Sequence, residues 1–160
     1  MFLDLVLPGR RLSLTESPAR PECVGPLRQS LDGFGPNLEE TLDRLIEADP
    51  ELRIVVMTLS DLFWGDTTGL ATVPTVADMG EMALEGLPGT PFPGGLNDII
   101  REEVEVRGLP LVEWWPLFEG KALQLTADED IHSNDEGYRV MADAVLGALA
   151  DACPDGLTAC

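Results

Sequence analysis

The chain has 160 residues, of which 29 are acidic and 10 basic, and its formal net charge is −19. This length fits one domain with a buried core, and a hydrophobic content of 44% excludes a disordered chain. The negative charge repels phosphate backbones and anionic lipid surfaces, which excludes nucleic acids and membranes as expected partners.

The first half of the chain predicts one strand, one helix and a second strand. The apolar run Phe2–Leu7 ends at Pro8-Gly9 and predicts a buried strand, whereas the four prolines and three glycines of residues 13–36 predict a loop. Asn37 is then expected to cap a helix over residues 38–47. The β-branched, apolar stretch Leu52–Leu59 predicts a strand that is covered on both faces of a parallel sheet.

The second half begins with a long insertion at residues 60–95, rich in Gly, Pro and Thr, with a short helix expected over 76–84. An amphipathic helix over 96–106 follows, and Gly108 is expected to stop it. Residues 109–113 predict another strand, which leads to two tryptophans that either line a cleft or pack in the core. Alternation of helix and strand is typical of the α/β class with a parallel sheet and right-handed crossovers.

His132 is the only histidine of the chain, and it lies two to four residues after the acids Asp128, Glu129 and Asp130. An imidazole exchanges protons near neutral pH, and a neighbouring carboxylate fixes its tautomer, so this stretch predicts a His-acid pair. The competing interpretation is a solvated acidic loop with an incidental histidine. After it, Ser133 or Asn134 is expected to cap a helix, because the following apolar residues recur at spacings of three and four. Those residues are Val140, Met141, Ala144, Val145, Ala148 and Leu149.

The stretch Asp-Ile-His-Ser-Asn-Asp-Glu-Gly-Tyr-Arg-Val-Met-Ala over 130–142 resembles the last block of the SGNH/GDSL esterase-lipase family, D-x-x-H-P-N-x-x-G-Y. Residues 96–102 and 111–121 resemble the helix and strand before that block, and residues 37–58 resemble the family's middle helix and next strand. The resemblance therefore covers roughly residues 37 to 150, and it is densest at the C-terminal end.

Two features depart from the family pattern. Glu129 stands where the family has its catalytic aspartate, and Asp130 lies one residue closer to the histidine. The Gly-Asp-Ser-Leu block that carries the family's nucleophilic serine is absent from the chain. The stretch Gly65-Asp66-Thr67-Thr68-Gly69 resembles that block, with threonine in place of serine. It follows the predicted strand Leu52–Leu59, however, which is not the strand that carries the nucleophile in the family. Gly95-Leu96-Asn97-Asp98 spells the family's oxyanion motif but opens a helix, so Asn97 is predicted to be an N-cap.

The resemblance implies a partial flavodoxin-like fold, a three-layer α/β/α sandwich with a parallel sheet. Residues 1–160 are expected to form a single domain that is truncated at its N-terminus relative to the family, since only three of the family's five strands can be counted. The exposed edge of residues 2–7 can then pair two copies of the chain. No signal peptide is expected at residues 1–7, although family members are often secreted.

The resemblance also implies an ester hydrolase in which His132 is the general base and Glu129 or Asp130 orients it. No nucleophile is identified, because Ser13, Ser17, Ser30 and Ser60 all lack a strand-to-helix elbow. The alternative is an inactive family remnant that acts as a binding module. A small ester is the expected substrate of the enzyme. No cofactor or metal is expected, since Cys23, Cys153 and Cys160 lack metal-type spacing and at most one pair can form.

Overall fold

A computed structural model of the chain describes residues 6–7, 10–11, 21–60, 80, 83–86, 92–127 and 132–153. Within these residues the protein is mostly helical, with a small parallel sheet. The strands are β1 (Val6–Leu7), β2 (Arg10–Arg11), β3 (Val56–Met57) and β4 (Leu111–Val112). The helices are α1 (Pro21–Ala48), α2 (Leu96–Arg107), α3 (Trp114–Phe118), α4 (Ala122–Leu125) and α5 (Asp135–Ala152).

The parallel sheet consists of β3 and β4, with Val56 opposite Leu111 and Met57 opposite Val112. Helix α2 lies between the two strands in the sequence, as a crossover connection requires. It ends at Gly108, whose φ of 61° is the left-handed conformation that favours glycine at a helix end. The helix start at 96, its stop at Gly108 and the parallel pairing of the two strands are confirmed.

Helix α1 is 28 residues long and begins at a proline, a residue that suits the first helical position. The prediction of a loop over residues 13–36 is therefore wrong for 21–36, and Asn37 lies inside the helix rather than at its cap. Interior prolines cost a helix about 3 kcal/mol each, which is why Pro26 and Pro36 suggested a loop. Packing on α2 offsets part of that cost.

Helices α1 and α2 pack along each other in the same direction. A Cβ at Gly35 would lie 3.5 Å from Cγ2 of Ile99, and near the other end Nε of Arg107 donates to Oδ1 of Asp43 at 2.8 Å. Arg107 also pairs with Glu103, and these hydrogen bonds, that to Asp43 first, raise the pKa of its guanidinium. Leu42 of α1 is buried against this surface, with 3% of its area exposed.

Strand β1 does not join the parallel sheet among the described residues, because it pairs in antiparallel register with β2 in a separate ladder. The expectation of a third parallel strand is therefore wrong for Val6–Leu7. Residues 2–5 of that predicted strand lie outside the described residues. The aromatic stretch after β4 forms the short helix α3. In the predicted 76–84 segment, Gly80, Ala83 and Leu84 are helical and the remaining residues lie outside the description.

The buried apolar side chains of the described residues come from α1, α2, β4, α3, α4, Phe92 and the end of α5. They are Leu42, Phe92, Ile100, Val104, Val112, Phe118, Leu125 and Cys153. Cys153 is disulfide-bonded, and its partner can only be one of the two other cysteines, whose side chains are outside the described part. None of the described helices is long and apolar enough to cross a membrane.

Candidate functional site

His132 lies on the loop between α4 and α5, and its side chain is exposed. The loop is closed at its base by an antiparallel bridge between Thr126 and Ser133. Next to this bridge, on the loop side, the backbone N–H of Ala127 donates to the carbonyl of His132 at 2.9 Å. The histidine therefore stands where it was predicted, on a loop directly before the C-terminal helix, and its backbone is held from the opposite side.

The acids expected to orient the imidazole, Glu129 and Asp130, lie outside the described residues together with Asp128. The hydrogen bond between His132 and one of these carboxylates accordingly stays a prediction. Its physical basis is the short spacing in the sequence, because residues two or three apart can bring their side chains within hydrogen-bonding reach.

Asn134, rather than Ser133, caps α5. Its Oδ1 accepts a hydrogen bond from the N–H of Gly137 at 2.9 Å, and its backbone is extended, as an N-cap requires. Ser133 is buried, and its hydroxyl donates to the sulfur of Met141 at 3.6 Å. Of the two residues left open by the sequence, Asn134 is the cap and Ser133 packs beneath the helix.

Gly137 allows the first turn of α5 to lie directly on the end of α4. A Cβ at this position would fall 2.1 Å from the carbonyl oxygen of Leu125, a distance at which the backbone must move. Sequence reasoning did not assign this role. The available signal was a glycine in the first turn of a helix, where it costs about 0.5–1 kcal/mol relative to alanine and needs a compensating close contact.

At the carboxyl end of β3, the hydroxyl oxygen of the fully buried Thr58 accepts hydrogen bonds from two N–H groups of α3. The donors are Trp114 at 2.7 Å and Trp115 at 3.4 Å. These are the first two N–H groups of α3, which have no partner within the helix itself. Thr58 therefore caps α3 from a neighbouring strand and joins the ends of β3 and β4.

Asn97 is fully buried, and its amide binds the backbone of Leu59 through both of its ends. Its Oδ1 accepts from the Leu59 N–H at 2.7 Å, while its Nδ2 donates to the Leu59 carbonyl at 2.8 Å and to Oε1 of Glu85 at 2.6 Å. The predicted N-cap role of Asn97 is wrong. Gly95 is the N-cap of α2, and Oδ2 of Asp98 accepts its N–H at 3.1 Å.

Arg101 lies at the centre of a charged cluster between α2, the end of β4 and the insertion. Its Nε and Nη2 donate to the carboxylate of Glu113 at 2.8 and 3.0 Å, and its two Nη atoms donate to Glu85 at 2.9 and 3.2 Å. Nη1 also donates to Asp98 at 3.1 Å. The hydrogen bonds that Arg101 donates to Glu113, and then those to Glu85, raise the pKa of its guanidinium. All five donors of the guanidinium are used, so Arg101 joins structural elements and is not available to bind an external anion.

Trp114 is half-buried and packs against the core residue Phe118. Its ring meets that of Phe118 edge to face, with centroids 5.4 Å apart and an interplanar angle of 83°. Its indole nitrogen is buried, and among the described residues it has no hydrogen-bond acceptor. The ring contact and the buried nitrogen favour the core-packing interpretation of this tryptophan.

The serines considered as nucleophiles are distributed over the chain. The Ser30 hydroxyl donates to the Pro26 carbonyl one turn back in α1, at 3.0 Å. Ser60 follows the carboxyl end of β3, two residues after Thr58, and is partly buried. Ser13 and Ser17 lie outside the described residues. Ser60 is thus the one of the two described candidates that lies at the carboxyl edge of the sheet, where open α/β folds bind ligands.

A shallow cavity of about 300 Å3 lies elsewhere, between the start of β4 and the end of α5. It is lined by Gly108, Leu109, Pro110, Leu111, Ala148, Asp151 and Ala152. This is the amino-terminal end of β4, whereas Thr58 and Glu113 mark the carboxyl ends of the strands. Across the described part of the chain, no group of three or more His, Cys, Asp or Glu side chains could hold a metal ion.

Comparisons with known proteins found no matching family model, no similar curated protein and no similar solved structure.

Proposed function

We propose that the chain carries the acid-base half of an SGNH/GDSL-type ester hydrolase, with His132 as the general base and Glu129 or Asp130 as the residue that orients it. In such an enzyme the imidazole takes a proton from a serine hydroxyl as that hydroxyl attacks the ester carbonyl, and returns it to the leaving alcohol. The substrate class is a small carboxylic ester.

One observation carries the proposal: the only imidazole of the chain is exposed on a loop whose backbone is fixed on both sides. A general base has to meet the substrate in one orientation, so a fixed backbone with an accessible side chain is what proton transfer requires. A histidine in a merely solvated loop has no need for such support. The family resemblance of residues 130–142 agrees with this interpretation.

The parallel pair of β3 and β4 supports the same proposal. The two strands are parallel and are connected through α2, so their carboxyl ends lie at the same edge of the sheet. In open α/β sheets, ligands bind at the edge formed by these carboxyl ends. Ser60 follows β3 there and is the described serine to test first as a nucleophile. The family's own nucleophile belongs to a Gly-Asp-Ser-Leu block, which the 160 residues do not contain.

The test measures hydrolysis of p-nitrophenyl acetate and butyrate by the 160-residue chain, and by a longer chain if the reading frame continues upstream. We expect negligible turnover by the 160 residues, because a general base without a nucleophile and an oxyanion hole gives little catalysis. In a chain that includes a Gly-Asp-Ser block, His132→Ala is expected to lower kcat about 10²- to 10⁴-fold, the usual contribution of a general base.

The matched control is Leu146→Ala, an exposed apolar side chain further along α5. It is expected to retain the parent rate. If the 160-residue chain does hydrolyse the esters, the rates of His132→Ala and Ser60→Ala are measured as well. Loss of turnover in the first variant identifies the base, and loss of turnover in the second identifies the nucleophile. If a chain that includes a Gly-Asp-Ser block hydrolyses no ester in a His132-dependent way, the proposed enzyme function is refuted.

A second function is a binding module that adds a partner's strand to the sheet. It is favoured by the edge of β3 away from β4, which has no partner strand among the described residues, and by the exposed Leu52 and Leu59 on either side of β3. Two copies of the chain could meet there, or through the segment of residues 2–7. Sedimentation at low and high salt tests it: a chain that stays monomeric at both salt concentrations argues against pairing of copies, because salt screens the −19 charge that opposes it.

A further inference from the structure

The side chain of Asn134 joins three separate segments around the histidine loop. Its Nδ2 donates to the carbonyl of Gln124 at 2.8 Å and to that of Thr126 at 2.9 Å, while its Oδ1 accepts from the N–H of Gly137. Both hydrogens of the amide are used, and the bonded groups belong to the end of α4, the start of the loop and the first turn of α5. We refer to these three hydrogen bonds as the Asn134 clasp.

The clasp acts on the backbone of His132 from both sides. Thr126, which it holds, precedes Ala127, and the Ala127 N–H donates to the His132 carbonyl at 2.9 Å. On the other side, Asn134 is two residues after His132, and its own N–H donates to the Leu125 carbonyl at 2.9 Å. With the backbone fixed in this way, the orientation of the imidazole depends on its two side-chain torsions alone.

We infer that Asn134 is the positioning residue of His132, an inference that rests on the proposed role of His132 as a general base. It touches no reacting atom and acts through the loop backbone. Helix capping alone does not explain the site, because a cap needs only the bond from Gly137 to Oδ1. The two bonds from Nδ2 leave the helix and hold the end of α4 and the start of the loop. The two N–H donors of the amide therefore fix the segment that leads into the loop, and its oxygen acceptor caps the helix.

Two substitutions separate these functions. Asn134→Asp keeps an acceptor for the Gly137 N–H and adds a charge that a helix N-terminus favours, but it removes both donors and sets a carboxylate against the Gln124 and Thr126 carbonyls. Asn134→Ala removes all three bonds. Should the alanine variant fail to fold, the aspartate variant still decides the question, since α5 keeps its cap.

The single histidine gives an unambiguous probe, since the ring protons of His132 are the only imidazole signals in the NMR spectrum. In Asn134→Asp we expect these signals to shift or broaden, and the Ala127 amide to exchange with solvent about tenfold faster or more, as the loss of two hydrogen bonds predicts. The control Asn37→Asp makes the same chemical change at an exposed position of α1 and is expected to alter neither.

The inference is overturned if Asn134→Asp gives the parent ring signals and the parent exchange rate at Ala127. A loss of helical signal without any change at His132 overturns it as well, because the residue then only caps the helix. These readouts do not depend on turnover. If ester hydrolysis proves independent of His132 while the ring signals change, the proposed function fails and the positioning of the histidine by Asn134 stands.

Discussion

Replacing the fully buried Asn97 by aspartate changes one NH2 group to oxygen and leaves the shape of the side chain intact. The Leu59 N–H keeps its acceptor, but the Leu59 carbonyl loses its donor, and the new carboxylate lies against Glu85, at a site where the amide nitrogen now lies 2.6 Å from Oε1. A buried carbonyl without a donor costs about 1–3 kcal/mol, and a lost hydrogen bond to a charged group about 1.5–3 kcal/mol.

These two costs together predict that Asn97→Asp lowers the free energy of unfolding by about 2.5–6 kcal/mol, a large part of the roughly 5–15 kcal/mol of an ordinary domain. Urea denaturation followed by far-UV circular dichroism at pH 7 measures it. Asn37→Asp is the matched control, because it makes the same substitution at an exposed residue, and it is expected to change stability by less than about 0.5 kcal/mol. A difference below 1 kcal/mol between the two variants would refute the role assigned to the Asn97 amide.

Two further predictions concern α5. Reducing the disulfide of Cys153 is expected to lower the free energy of unfolding by about 2.5 kcal/mol if the partner is Cys160 and by about 5 kcal/mol if it is Cys23, because the disulfide closes a far longer loop of chain in the second case. Denaturation with and without reductant measures this change, and mass spectrometry of non-reduced peptides identifies the pair independently. Hydrogen bonds from Arg139 lower the pKa of Glu136. The pair therefore stabilises the folded state fully when the pH is above the pKa of an ordinary carboxyl group, and this stabilisation is lost as the pH falls through the lowered pKa of Glu136. Glu136→Gln should therefore make the decline of the melting temperature below pH 4.5 shallower, and an unchanged decline contradicts the assignment.

The elements that the sequence predicted well have signals within their own residues. Helix α2 has an amphipathic pattern and a glycine that can adopt a positive φ at its end, and α5 has a side chain that can cap it directly before its apolar pattern begins. The strands β3 and β4 follow from continuous apolar runs, although the paired part of each is only two residues long. Local pattern and local structure agree in these segments.

The errors arise where the deciding contact is distant in sequence. The residues of α1 before Pro36 give no sign of a helix in the sequence, because two prolines and several glycines lie among them. The packing partner that supports this part of α1 is α2, some 60 residues later, and Gly35 lies close to Ile99 of that helix. The role of Asn97 likewise depends on Leu59, 38 residues before it. A capping residue and a residue that binds a neighbouring strand look alike in a sequence, because both are short polar side chains at the start of a helix.

The polar groups at the carboxyl ends of β3 and β4 and those of the histidine loop play different physical roles. Asn97 and Arg101 use every donor they have on groups of the same chain, so this edge is held together by contacts that leave these two side chains no donor for a ligand. The loop of His132 is built in the opposite way, since its hydrogen bonds hold the backbone and leave the imidazole exposed. Substitutions in the first group should therefore change stability. If the proposed role of His132 holds, its substitution lowers ester hydrolysis in a chain that includes a nucleophile and leaves stability nearly constant. Measuring both quantities on the same variants distinguishes a scaffold residue from a reacting one.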